Sequence, residues 1–126
     1  MGRFVLYIAG FGFPDHYLCH HCLSTLKVYK KGDIWRSRTG DRYTQNIFKY
    51  IIDVQYETGI EPAADKIIEA IKKDGDLLEI LTNCEYVELH VSISIGEEFR
   101  IPQIHLTAKQ MEFFGQLGAE LEIHIS

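Results

Sequence analysis

Several things that would place this chain quickly are scarce or missing from it. It has three cysteines in 126 residues, an odd number, and no charged-then-apolar leader stands ahead of Phe4. A secreted disulfide framework is therefore not expected, and reduced thiols in the cytoplasm fit better. No apolar run approaches the roughly 20 residues that a membrane span needs. Leu6 stands where a myristoylation signal opening on Met1-Gly2 requires Ser or Thr. Basic charge is short too: 13 Lys and Arg against 18 Asp and Glu leave a net charge of −5, a poor match for nucleic acid, whose recognition rests on a basic surface. Nucleophile elbow, phosphate loop, dinucleotide fingerprint and H-E-x-x-H are all absent, and no internal repeat, low-complexity tract or linker divides the chain. One domain spanning residues 1–126 is expected.

What is present suffices for a core. Apolar residues make up 46% of the chain and aromatics 12%, enough to fold without disulfide or metal staples. Charge is uneven: residues 1–63 hold eight basic against six acidic groups, residues 64–126 five against twelve.

The clearest architecture lies in Tyr86 to Ile125. Val87, Leu89, Val91, Ile93 and Ile95 alternate with Glu88, His90, Ser92, Ser94 and Gly96, the period of a half-buried strand. After a hairpin-sized interruption at Gly96-Glu97-Glu98, Thr107 and Gln110 have the spacing of a capping box, with Leu106 and Met111 placed for a hydrophobic staple. Met111, Phe114 and Leu117 recur at helical spacing, Gly118 ends that helix, and Leu121, Ile123 and Ile125 alternate as a last strand.

Earlier in the chain, Phe4 to Phe11 is apolar on both faces and predicts a central strand, broken by Gly10, Gly12 and Pro14. Asp15 to Leu26 predicts a helix, and Lys27 to Tyr43 a basic loop around the lone tryptophan, Trp35. Ile47 to Tyr56 returns to strand, with Phe48, Tyr50, Ile52, Val54 and Tyr56 on its core face. Pro62 opens a helix carrying Ala64, Ile67, Ile68 and Ile71 inward, which Asp74-Gly75-Asp76 interrupts before a shorter continuation. The order predicts an α+β fold: a mixed or mainly antiparallel sheet of four to five strands with helices packed on one face.

Three groups carry candidate chemistry. His16, Cys19, His20 and Cys22 have soft-ligand spacing suited to zinc. On a helical wheel, however, Leu18, Cys19, Cys22, Leu23 and Leu26 share one arc, and the bland reading is core cysteines with surface histidines. The basic loop offers Lys31, Asp33, Trp35, Arg36, Arg38 and Arg42, either to hold an anion or an acidic protein partner or as a solvated loop with Trp35 tucked back. The polar face of the sheet collects Tyr7, Lys49, Asp53, Gln55, Glu88, His90, Ser92, Ser94, Glu122 and His124. If the strands are neighbours, His90 and His124 lie side by side between Glu88 and Glu122, a patch able to move protons or hold a polar ligand. The competing reading is an ordinary wet sheet face.

The Phe-Val-Leu-Tyr-Ile strand at Phe4–Ile8, the Lys31-Gly32-Asp33 step, the run Ile101-Pro102-Gln103-Ile104-His105-Leu106-Thr107 and the run Leu117-Gly118-Ala119-Glu120-Leu121-Glu122-Ile123 together resemble the bacterial family known as domain of unknown function 4279. The resemblance implies a small α+β fold, no established activity, and an immunity-like or other binding role. The leading expectation is thus a non-catalytic cytoplasmic protein-binding module that requires no cofactor and engages neither nucleic acid nor membrane. The alternatives are a small-ligand-binding protein or enzyme working at His90, Ser92 and His124, and a zinc-stabilised module. A homodimer through the exposed edge of Leu121–Ile125 is a further expectation.

Overall fold

The computed structural model describes residues 3–13, 26–29, 31–32, 34–36, 41–42, 46–97 and 100–126, with the backbone alone for 26–29, 34–36, 41–42 and 76. Among the described residues, seven strands and three helices run in the order β1 (Arg3–Phe11), β2 (Leu26–Tyr29), β3 (Ile34–Arg36), β4 (Asp41–Arg42), β5 (Ile47–Asp53), α1 (Glu61–Lys73), α2 (Gly75–Asn83), β6 (Tyr86–Ser94), α3 (Ala108–Gln116) and β7 (Ala119–Ile125). Five strands form one sheet in the order β2-β5-β1-β6-β7, while β3 and β4 pair as a small sheet of their own. All main-sheet pairings are antiparallel except β6 with β7, which is parallel. The fold is therefore α+β with a mixed sheet, and β1 lies at its centre as its two apolar faces predict.

The alternating rows meet in register. Leu6 faces Val91 and Ile52, and Ile8 faces Leu89 and Tyr50, so one side of the sheet presents a continuous apolar row. That row shares a core with Ala63, Ala64, Ile67, Ile68 and Ile71 of α1, with Leu77, Ile80 and Leu81 of α2, and with Phe114 of α3. Apolar positions three and four apart put one face of each helix on the sheet. Between α1 and α2, Asp74 leaves helical geometry and accepts the Leu77 N–H at 3.1 Å, restarting the helix. Asn46, itself buried, donates to the Phe13 carbonyl and accepts the Lys31 N–H, so its polar atoms cross the core's edge with partners.

Three expectations need correction. Gly10 does not break β1 but sits inside it: a Cβ there would meet the Phe48 ring and, at 2.8 Å, the Cys84 sulfur. The stretch expected as a basic loop contains β2, β3 and β4, strands too short and too charged for their alternation to show. The interruption after β6 is not a hairpin, because β7 returns parallel to β6 through α3. The helix expected over Asp15 to Leu26, and with it His16, Cys19, His20 and Cys22, lies outside the described residues apart from Leu26, which belongs to β2. No helix among the described residues is long and apolar enough to cross a membrane.

Candidate metal centre on the polar sheet face

The side of the sheet away from the helices carries the polar row. Strand pairing sets Ile51, Tyr7, His90 and Glu122 in one line across β5, β1, β6 and β7. The line on one side of it holds Lys49, Ala9, Glu88 and Glu120, and that on the other Asp53, Val5, Ser92 and His124. Alternation on β6 places Glu88, His90 and Ser92 on this face, and the central position of β1 delivers Tyr7 to the middle of it.

His90 is held on two sides. Its ring stacks on Tyr7 with centroids 4.6 Å apart and planes 13° from parallel, the offset geometry aromatic pairs favour. Its Nδ1 lies 2.7 Å from Glu88 Oε1, with both side chains only 14% and 13% exposed. A carboxylate oxygen accepts, so the proton of this bond sits on Nδ1, and a cation shared by the imidazole and Glu88 has to displace that proton. The other Glu88 oxygen accepts from the Tyr86 hydroxyl at 3.4 Å. Glu122 completes the group: one ligand atom from each of Glu88, His90 and Glu122 lies within 4.8 Å of the others. An imidazole with two carboxylates is a donor set for a borderline divalent cation.

The phenols around the cluster respond to its charge. Burial, then Glu88 and Glu122, push the Tyr7 hydroxyl above its ordinary range. Tyr86 is pushed up to about 12, chiefly by its hydrogen bond to Glu120. Beside the cluster a shallow trough of about 290 Å³ is lined by Arg3, Val5, Tyr7, Lys49, Ile51, Ser92 and Ser94.

Among the expected site residues, His90 stands at the centre of the group. His124 does not lie beside it: the register pairs His90 with Glu122 and Ser92 with His124, so the imidazoles are diagonal neighbours. Lys31 is exposed in a turn, and Trp35, Arg36 and Arg42 lie on β3 and β4, where Ile34 pairs with Arg42 and Arg36 with Asp41. Asp33 and Arg38 lie outside the described residues. The sequence reading counted Tyr7, Glu88 and Glu122 in the polar row without choosing them as site residues. Glu88 carried a usable signal, its place two residues from His90 on the same strand face, whereas Tyr7 and Glu122 are joined to it only by register.

An α+β sheet with a cluster of imidazole and carboxylates on the face away from its described helices is the class of protein these features define. The family model described as a domain of unknown function, DUF4279, matches residues 23–126, and the chain belongs to that family. Neither the curated proteins nor the solved structures contain a match to the chain.

Proposed function

We propose that this chain is a non-catalytic binding domain whose site is the cluster on the polar sheet face, and that the ligand there is a divalent cation of borderline softness such as zinc. The observation that carries the reading is the convergence of Glu88, His90 and Glu122 to within 4.8 Å, with His90 fixed by Tyr7 and Glu88. Two carboxylates held this close repel, and a cation between them relieves that repulsion. Isothermal titration of zinc into tag-free protein should give about one site per chain, with His90→Ala weakening it by on the order of 10-fold to 100-fold. Binding should also weaken at low pH, where protons compete for the donors. Unchanged affinity in His90→Ala removes the reading. The cytoplasm suits such a domain, since Cys84 is a free thiol of the kind that reducing compartments preserve.

A second reading is a protein-binding module, immunity-like in role, that grips an acidic partner through the basic segment. It is favoured by β3 and β4 pairing apart from the main sheet, which puts Trp35, Arg36 and Arg42 on one small two-stranded sheet. Trp35→Ala should weaken capture of such a partner by about 2 kcal/mol, and intact capture would move the contact elsewhere.

A further inference from the structure

The last strand is an edge with two unusual features. Leu121, Ile123 and Ile125 lie on the helix side of the sheet, opposite Leu89, Val91 and Ile93 of the core row, yet they remain 53%, 43% and 47% exposed. The nine residues of α3 and the absence of a further strand beyond β7 among the described residues leave the row uncovered on its outer side. The backbone of that edge is also free to pair. Ser126 donates its N–H to Ile93 and accepts from Ile95, so in a parallel ladder the even-numbered residues of β7 turn their backbone groups to β6. Leu121, Ile123 and Ile125 then turn theirs outward.

That parity limits how a second copy can add. An antiparallel partner must set outward residues opposite one another as hydrogen-bonded pairs. With Leu121 opposite Leu121, Glu120 meets Glu122; with Leu121 opposite Ile123, Glu122 meets Glu122; with Ile123 opposite Ile125, His124 meets His124. Placing Ile123 opposite Ile123 sets Leu121 against Ile125 and Glu122 against His124, twice over by symmetry. Among these registers it is the one that brings opposite-type groups together on the polar face with no like pair beside them, over unbroken aliphatics on the other face.

We infer that two copies of this chain pair antiparallel along β7 with Ile123 on the two-fold axis, so that the partner subunit's His124 stands against Glu122 and supplies a fourth donor to Glu88, His90 and Glu122. The occupant of the edge is a second copy because the strand is complementary to itself in both its apolar and its polar rows. Pairing continues the sheet to ten strands and covers the edge that would otherwise invite uncontrolled association. Four donors, two imidazoles and two carboxylates, meet the coordination number of a closed zinc site. The dimer stands without the cation reading; the fourth donor rests on it.

The test mixes two variants of the full-length chain. In His90→Ala each site lacks its own imidazole, and in His124→Ala each lacks the one its neighbour should lend. Each alone should bind Co²⁺ at least tenfold more weakly than wild type and lose the visible bands of tetrahedral cobalt. Mixed and allowed to exchange, the heterodimer holds one complete site, and the bands should return. Sedimentation should show a wild-type dimer and a folded monomer for Ile123→Lys, which sets two ammonium groups together at the axis while leaving the polar face intact. Wild type that binds cobalt as a monomer, or a mixture that restores nothing, overturns the inference while sparing the cation reading. A wild-type dimer that binds no cobalt overturns the cation reading and the fourth donor but keeps the pairing. Near-ultraviolet thiolate charge-transfer bands would assign the metal to cysteine and count against both.

Discussion

Cys84 shows how burial decides the behaviour of one group. It lies against Gly10 at the floor of the sheet, and burial pushes its thiol up to about 12, opposed by a hydrogen bond with the Phe11 backbone. A thiol that stays protonated is a poor nucleophile. Alkylation of the native protein at pH 8, mapped peptide by peptide, should therefore leave Cys84 unmodified long after the unfolded chain has reacted completely; equal rates would contradict its burial. Tyr7 answers to burial first and to charge second. Removing one charge by Glu122→Gln should move its titration down towards the ordinary phenol range, in ultraviolet absorbance followed to alkaline pH, while Glu112→Gln on the exposed surface of α3 should leave it unmoved. At this scale the sequence placed Glu88, His90 and Ser92 on one face by parity alone. Which residue of β7 stands beside His90 depends on a register in which a shift of two exchanges Glu122 for His124, and no local pattern fixes it.

The element most fully legible in advance is α3. Thr107 Oγ1 accepts the Gln110 N–H at 3.1 Å and Gln110 Oε1 accepts the Thr107 N–H at 2.9 Å, the reciprocal bonds that a Thr-x-x-Gln spacing predicts. The structure adds a tertiary use for the same side chain: Gln110 Nε2 donates to the Glu61 carbonyl and to Asp65, fastening α3 to α1. Thr107→Ala should cost about 1 kcal/mol in urea unfolding, and a change within error would mean that the cap is idle. Met111, expected to staple the helix to Leu106, is 60% exposed; it shares with Leu106, Phe114 and Leu121 the lining of a groove of about 240 Å³. Gly10→Ala should destabilise β1 by about 1–3 kcal/mol, because Phe48 and Cys84 must give way to the added methyl. The strands of the basic segment were not legible, since two to four residues give alternation too little length to register. The direction of β7 was also hidden, because strand polarity follows from how α3 crosses the sheet and not from the strand itself.

At the scale of the molecule, the displaced thiol and phenols among the described residues share a sign. Cys84, Tyr7 and Tyr86 all titrate above their ordinary values of 9.0, 10.0 and 10.0. The folded state therefore favours their protonated forms, and this contribution to stability is fully present below those values and is lost as pH rises towards 12. The urea midpoint should hold steady from neutral pH to about 9 and then fall, with Cys84→Ala flattening the first part of that decline; a midpoint rising with pH would contradict the burial of these groups. The same economy of placement applies to charge, since the acidic half of the chain supplies both β6 and β7 and so collects carboxylates on one face of the sheet. Whether that face holds a cation is tested most directly by X-ray absorption at the zinc edge on the loaded protein. The account predicts a first shell of nitrogen and oxygen at about 2.0–2.2 Å with imidazole scattering beyond it. A sulfur shell at about 2.3 Å would contradict it, placing the metal on cysteine and leaving the Glu88, His90 and Glu122 cluster empty.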